Sequence, residues 1–332
     1  MIKKFIILLI VTFLSVNLAE SQIIPNLGGQ KTGTSSLEFL KIGHGARAIG
    51  MGEAFVAVSD DISSLYWNPA GLVSFKENGL TFSHSEWFVD TRLEFVGAVY
   101  HFGGANALGV SLTALNTEDM KVTTEVQPFG TGEYAKYSDI AIGLSYARQM
   151  TKQFSFGATV KYVEETLGPL KMRTVLGDLA TFYRTGLGTT RFAVEIVNFG
   201  GQVSPSGTVV TSSGNSVSDF QSFPPPTLFK IGFAMEPVMN KMHRLTTSVQ
   251  LNSPSDNAEN VGIGAEYAFK EMFFIRGGYK FNVDAENFSA GAGIKVPISF
   301  AKLDLDYAIS NYRALGLAHR ISINLLFPGK NL

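Results

Sequence analysis

The chain has no cysteine, no excess of charge of either sign and, after its first residues, no long apolar run. It has 332 residues, with 27 Lys+Arg against 28 Asp+Glu. The lack of cysteine excludes a disulfide framework and a thiolate metal site. The charge balance gives no sign of a nucleic-acid-binding surface. No second apolar run reaches the length of about 20 residues that a membrane-spanning helix needs. A membrane location would therefore require strands.

The single apolar run is typical of a secretory signal peptide. Two lysines precede an apolar run over residues 5–14, and a small-x-small cleavage site ends at Ser21. The run is short for a membrane anchor, so we favour a signal peptide over residues 1–21, cleaved near Ser21. A signal peptide followed by strands that face lipid indicates the outer membrane of a diderm bacterium.

What the chain does contain is a repeated strand pattern with one apolar face and one small or polar face. For example, Leu303, Leu305 and Tyr307 alternate with Asp304 and Asp306. A period of two predicts strands whose two faces meet different surroundings. The pattern predicts about fourteen strands, over residues 79–88, 92–102, 106–116, 137–149, 153–164, 174–184, 189–198, 226–235, 242–252, 259–269, 272–281, 286–297, 302–310 and 317–327.

The connections between these strands alternate between short and long. The short ones are turns such as 103–105 and 149–152, and the longer ones are 117–136, 165–173 and 199–225. Such alternation and an even strand count are typical of a transmembrane β-barrel with periplasmic turns and extracellular loops. The fold class is therefore all-β: a transmembrane antiparallel β-barrel over residues 79–332, in contact with outer-membrane lipid.

A soluble β-propeller or sandwich would also alternate, but its polar face would meet water. Here the non-apolar face is rich in small residues, among them Gly143, Ser145 and Ala147. Small residues suit a crowded lumen better than open water, which favours the membrane barrel.

Residues 22–78 precede the strands and contain an unusual block. Its glycines permit close approach of the backbone, its paired acids can cap a short helix, and its Asn-Pro step ends that helix. Such a segment could lie across the periplasmic mouth or fold inside a narrow barrel as a plug. The residues that define the block are Gly45, Arg47, Gly50, Gly52, Asp60, Asp61, Tyr66, Trp67, Asn68, Pro69 and Ala70.

This block resembles the N-terminal signature of the PorV/PorQ family, within the FadL-like group of outer-membrane barrels. The pattern G-A-R-A-x-G-M-G-x-A-F-V-A-V-x-D-D, followed by Y-W-N-P-A-G-L, is nearly complete in residues 45–72. Glu53 stands at the second x, where a small residue such as Gly or Ala is expected. The Asn68-Pro69-Ala70 element is the part shared with fatty-acid transporters. The resemblance implies a FadL-like barrel of fourteen strands with an N-terminal plug or hatch.

The resemblance also implies a role in type IX protein secretion. PorV-like members bind the C-terminal signal domains of secreted cargo and pass the cargo from the translocon to the attachment complex, and PorQ-like members anchor a partner of that complex. A FadL-like transporter of hydrophobic small molecules (long-chain fatty acids or aromatics) across the outer membrane, with a ligand in the lumen, stays open as the alternative.

Charged residues of the last strands are expected to face the lumen, where we favour an internal salt-bridge network over a polar conduit. No histidine has metal-ligand spacing, no nucleotide loop is present, and the acid pairs do not suit catalysis. We therefore expect no enzyme activity, cofactor or metal. The predicted lumen-facing charges are Glu266, Lys270, Arg276, Lys280, Lys295, Asp304 and Asp306.

Overall fold

Fourteen antiparallel strands close into a barrel in the computed structural model, which describes residues 32–211 and 214–327. The predicted signal peptide lies outside the described residues. The strands are β1 Asn78–Glu86, β2 Thr91–Phe102, β3 Asn106–Thr117, β4 Tyr137–Gln149, β5 Phe154–Leu167, β6 Leu170–Arg184, β7 Arg191–Phe199, β8 Leu228–Met239, β9 His243–Pro254, β10 Asn260–Phe269, β11 Phe273–Phe281, β12 Phe288–Ile298, β13 Ala301–Asn311 and β14 Leu317–Phe327.

Each strand pairs with its neighbours in sequence, and β1 closes the ring by pairing with β14 from Asn78↔Phe327 to Glu86↔His319. Closure pairs the backbone groups that an open sheet would leave unpaired at its edges. The predicted fold class is confirmed, and each predicted strand overlaps one strand of the barrel. Within the described residues, no helix combines the length and hydropathy needed to cross a membrane.

The outer face of the barrel is apolar along nearly every strand. Leu144, Val175 and Ile275 are each about 60% exposed or more, and similar residues continue around the ring. A continuous exposed apolar band of this extent is not stable in water and indicates a lipid environment. The inner face instead carries serine, threonine, glycine and charged residues.

The two ends of the barrel differ in the length of their connections. At one end, here called the short-turn end, the strands are joined by residues 103–105, 150–153, 185–190, 240–242, 270–272 and 299–300. At the other end, the long-loop end, the main connections are 118–136 and 200–227, each of which contains a two-residue β-ribbon.

The prediction of a longer loop over residues 165–173 was wrong. Strands β5 and β6 stay paired up to Leu167↔Leu170, and only Gly168 and Pro169 form the turn. Gly168 has a φ of 55°, a conformation that glycine adopts without the steric cost of a side chain. The glycine and proline resemble a loop in sequence but here make a tight hairpin.

Residues 36–77 lie inside the barrel. The helix Ala46–Gly50 packs against β11 to β14, and the 3₁₀ turn Pro69–Val73 packs against β3 to β6 on the opposite arc of the ring. A further 3₁₀ turn, Glu38–Lys41, and the helical turn Ser64–Trp67 complete the helical elements of this segment. We call residues 32–77 the inner segment.

Glycines on the inner face make room for the inner segment. A Cβ atom on Gly278 would lie 2.0 Å from the backbone nitrogen of Gly52. One on Gly157 would lie 2.3 Å from the nitrogen of Ala70. Close approach of two backbones is a general reason for glycine within a strand.

We predict that Gly278→Val destabilises the barrel by about 1–3 kcal/mol or more, because the new side chain overlaps the inner segment. The neighbouring Gly277 is the matched control, since its Cβ would meet nothing within 4 Å. Gly277→Val should keep the stability of the unmodified chain. The urea midpoint of unfolding in detergent checks both variants, and equal midpoints would contradict the assignment of inner and outer faces.

Candidate functional site

The inner segment begins at the long-loop end, where apolar side chains fill the lumen. Leu37, Phe39 and Leu40 are buried against residues from several strands and from loop 200–227, namely Leu93, Leu115, Ala141, Val163, Leu176 and Val203. We call this group the apolar cluster. Burial of this much apolar surface holds the start of the inner segment at that end.

Polar contacts tie the same stretch to the loops of the long-loop end. The backbone N–H of Ser36 donates to the carbonyl of Pro224 at 3.1 Å. Lys41 Nζ lies 2.6 Å from a carboxylate oxygen of Asp256, which also accepts a hydrogen bond from Ser35. The preceding residues, 32–34, are exposed. The inner segment therefore starts beside loops 200–227 and 255–259 and runs toward the short-turn end.

The glycine-rich part of the inner segment is bound by small polar side chains of the fourteen barrel strands, which we call the wall. The backbone nitrogens of Gly45 and Ala46 donate to Ser83 of β1 and Ser322 of β14, at 3.2 and 2.9 Å. The nitrogen of Gly52 donates to Ser289 at 3.0 Å. The N–H groups of Gly45 and Ala46 lie at the N-terminal end of the helix Ala46–Gly50, where backbone donors have no partner within the helix.

Arg47 connects the inner segment to the wall and to its own second half. Its guanidinium makes two hydrogen bonds to the carboxylate of Glu266, at 2.9 and 3.0 Å. Its Nη1 also contacts Asp60 and Asp61, each at 2.6 Å. A planar guanidinium with several donors suits such bridging better than a lysine would.

The two adjacent aspartates differ in their roles. Asp61 accepts a hydrogen bond from the backbone N–H of Ser63 at 2.8 Å and so stabilises the turn before helix Ser64–Trp67, close to the predicted cap. Burial, the largest single effect, raises the pKa of Asp60, but the charges of Arg47 and Arg191 and the hydrogen bond from Arg47 together hold that pKa below its ordinary value. Asp60 therefore stays ionised beside Arg47.

An aromatic group surrounds His44. The His44 ring stacks on Phe95 of β2 at 4.9 Å between centroids and meets the edge of Tyr66 at 4.4 Å. Trp67 Nε1 donates to the His44 carbonyl at 2.8 Å. Burial, with the charges of Arg320 and Lys161, lowers the pKa of His44 to about 3.

The Asn68-Pro69-Ala70 element ends the helical turn and fixes the segment to β6. Asn68 has extended backbone angles, accepts from the Ala70 N–H at 2.9 Å and donates to the Val56 carbonyl at 2.9 Å. A longer hydrogen bond of 3.3 Å reaches the Thr181 carbonyl of β6. All four of its neighbours at 69–72 are buried, so the element is a packing corner between two turns of the segment.

Most of the predicted lumen-facing charges lie on the inner face and pair there. Arg276 contacts Glu266 at 2.7 Å and Asp306 at 2.6 Å. Lys295 contacts Asp304 at 3.0 Å. Lys280 contacts Glu53 at 2.8 Å and also Glu286. Glu53, the departure from the family pattern, therefore serves as a partner for a charge of the wall.

The prediction that Lys270 faces the lumen was wrong. Lys270 lies in the turn 270–272 at the short-turn end, exposed, with a φ of 55°. The inner face of β10 ends at the buried Ala268, and the chain then turns before Lys270 could point inward.

Several inner-face residues were not predicted as site residues. Gln250 accepts from the backbone nitrogens of Phe55 and Val56 at 3.0 and 2.9 Å. Arg244 is a further partner of Glu266, at 3.3 Å. Away from these, the middle of the wall holds the pairs Lys230–Glu195 and Lys161–Asp178. The two-residue alternation along each strand could have predicted these residues, because each lies at an inward-facing position of its strand.

A cavity of about 650 Å³ lies at the short-turn end below the inner segment. Both signs of charge line it, together with a few apolar side chains. The charged lining residues are Arg47, Asp60, Asp61, Glu77, Arg184, Arg191, Glu236, Arg244, Glu271, Arg276, Lys295, Lys302, Asp304 and Asp306, and the apolar ones include Phe75, Met239, Phe274, Ile294 and Leu326.

Solved structures with similar folds are bacterial outer-membrane barrels. The monoaromatic hydrocarbon channel CymD superposes with a TM-score of 0.58 and 15% identity, covering 86% of this chain and 97% of CymD. The toluene transporter TbuX of Ralstonia pickettii gives 0.56 and 14%, with 86% and 97% coverage. A FadL homologue of Pseudomonas aeruginosa gives 0.56 and 11%, with 86% and 98% coverage. Identities this low establish the fold alone. No curated protein sequence matches this chain.

The closed ring, the apolar outer face and these structural neighbours define a FadL-like β-barrel of the outer membrane. The short-turn end is then periplasmic and the long-loop end extracellular. A family model described as "Type IX secretion system protein PorV" matches residues 27–254. The chain belongs to the PorV family.

We predict that Arg47→Gln lowers the free energy of unfolding by about 3–5 kcal/mol, because it leaves the buried Glu266 and the two aspartates short of positive charge. The control is Arg92→Gln, which removes an exposed pair with Glu118 and should cost less than about 1 kcal/mol. Urea unfolding of both variants in detergent measures the difference. Similar losses in the two variants would show that Arg47 does not anchor the segment.

We also predict that His44 makes the barrel less stable as the pH falls. With a pKa of about 3 in the folded chain and about 6.5 in the unfolded chain, only the unfolded chain takes up this proton between those values. The resulting loss at pH 5 is about 2 kcal/mol. His44→Gln should remove that part of the pH dependence, whereas His319→Gln, at an exposed histidine bound to Tyr307, should keep it. The measurement is the urea midpoint from pH 7.5 to 5.

Proposed function

We propose that this outer-membrane barrel acts in type IX protein secretion by binding secreted cargo, or a protein of the attachment complex, through its extracellular surface. The observation that carries the proposal is the contrast between the two parts of the extracellular end. Inside, apolar side chains fill the lumen, and outside, loop 118–136 presents apolar side chains to water. Membership of the PorV family supports the same role.

Loop 118–136 is the strongest candidate for the contact surface. Its tip carries Val126 and Phe129, which are 90% and 95% exposed, and a two-residue ribbon pairs Met120–Lys121 with Tyr134–Ala135 at its base. Large apolar side chains exposed on an extracellular loop lose water when they bind a protein partner, and aromatic residues often dominate such contacts. In this proposal the partner is the signal domain of a cargo protein or a protein of the translocon or the attachment complex.

The inner segment has the role of a plug in this proposal. Residues 32–77 are fixed at the extracellular end by the apolar cluster and in the middle by Arg47 and Glu266. Opening a pore would require breaking both, and the loss of a buried ion pair alone costs about 3–5 kcal/mol. A filled lumen suits a barrel whose task is carried out on its outer surface.

Transport of hydrophobic molecules is the second candidate. It is favoured by the shared fold with hydrocarbon channels and toluene transporters and by the cavity at the periplasmic end. A transporter would need the apolar cluster to open toward the extracellular side.

We predict that Val126→Ser combined with Phe129→Ser weakens capture of the secretion partner by roughly tenfold or more, since two exposed apolar contacts are lost. The matched control is Leu315→Ser, at a residue that is 60% exposed on the loop between β13 and β14. The full-length protein is purified from its native membrane, and co-purified proteins are quantified by mass spectrometry for each variant.

Recovery of cargo, translocon proteins or attachment-complex proteins with the unmodified chain and the control, and their depletion in the double variant, is the expected result. Equal recovery in all three would refute the assignment to this loop. A deletion strain that secretes surface proteins normally but no longer takes up an apolar nutrient would favour transport over secretion.

A further inference from the structure

We propose that Arg184 and Arg191 bind the carboxylate of a small organic molecule in the cavity at the periplasmic end. This inference does not rest on the role in secretion. It rests on the position of two like charges, on their hydrogen-bond partners and on the lining of the cavity.

The two arginines are placed directly opposite each other. Arg184 ends β6 and Arg191 begins β7, and the two residues are register partners in the antiparallel pair. Both line the cavity. The Cβ atoms of two directly opposite residues in an antiparallel pair are about 4.5–5.5 Å apart, and two side chains of like charge at such positions repel each other. An anion between the two guanidiniums would convert that repulsion into attraction.

The charges of the cavity are otherwise paired. Arg191 contacts Glu236 at 2.5 Å through Nη2, and its Nε has no hydrogen-bond partner. Every other charged lining residue has an ion pair in the described part of the chain, but the side chain of Arg184 has neither an ion pair nor a hydrogen bond there. Its guanidinium carbon lies over the ring of Phe182, 5.4 Å from the ring centroid.

A carboxylate of the protein itself does not complete the pair. The charge of Asp60 acts on Arg184, but Asp60 is hydrogen-bonded to Arg47 at 2.6 Å. Glu236 is shared between Arg191 and the Thr246 hydroxyl. Arg184 is thus a guanidinium with free donors facing a cavity, and a carboxylate is the group whose geometry matches that fork.

The volume and the lining of the cavity indicate which kind of molecule would carry the carboxylate. Its volume of about 650 Å³ falls within the usual range for small-molecule sites. Apolar side chains such as Phe75, Met239 and Phe274 line it beside the charges. An organic acid with an apolar body would use both kinds of surface, whereas an inorganic anion would use only the charges.

Benzoate is the probe for this site, and benzamide is its uncharged counterpart. The full-length protein in detergent is titrated with each and with inorganic phosphate, and binding is followed by the thermal midpoint of unfolding and by calorimetry. Benzoate should raise the midpoint of the unmodified chain, and benzamide should not. Arg184→Gln should weaken benzoate binding roughly tenfold or more, since a charge-assisted pair of hydrogen bonds is lost. Arg184→Lys keeps the charge but not the forked pair of donors, so its affinity for benzoate should lie between those of the unmodified chain and Arg184→Gln.

The control is Arg173→Gln, a substitution on the same strand that removes an exposed pair with Glu164 outside the cavity. It should bind benzoate as the unmodified chain does. Without ligand, Arg184→Gln should unfold at the same or a higher temperature, because the repulsion is gone, which a purely structural arginine would not show. Equal binding by Arg184→Gln, equal effects of benzoate and benzamide, or equal or tighter binding of inorganic phosphate would each overturn the proposal.

Discussion

The carboxylate of Glu266 is the interaction on which the interior of this barrel depends. It is fully buried and receives hydrogen bonds from three guanidiniums, those of Arg47, Arg244 and Arg276. A buried carboxylate without partners would be strongly unfavourable. Two of the arginines belong to the wall, but Arg47 belongs to the inner segment. Glu266 of the wall therefore has all three partners only when the inner segment is bound inside the barrel. The inner segment and the barrel thus form one structural unit.

The strands could be predicted from the sequence because lipid and lumen impose opposite demands on alternate residues. That contrast is strong enough to locate all fourteen strands of the described barrel. It fails where the chain leaves the sheet. Gly168-Pro169 has the composition of a loop but forms a tight turn, and Lys270 continues the alternation in sequence after the strand itself has ended.

Within the inner segment, contacts between near neighbours could be anticipated, and contacts with the wall could not. The roles of Asp61 and Asn68 follow from residues two positions away. The partner of Arg47 lies at position 266, and that of the Phe55 backbone lies at position 250. Such pairs depend on how far the segment is inserted and on the register of the strands, and alternation alone specifies neither. The alternation does indicate a crowded lumen, because glycines on the inner face leave room for the backbone of another segment.

The seam of the barrel has a consequence for its biogenesis. Consecutive backbone nitrogens at Gly45 and Ala46 are bound by Ser83 of the first strand and Ser322 of the last. The same segment touches opposite arcs of the ring, and it continues directly into β1. We infer that it must already be in position when the first and last strands meet. Closure of the ring at a normal rate in a chain lacking residues 36–72 would contradict this order. The segment would then act as an internal template, with the final strand joining a cylinder whose contents are already in place.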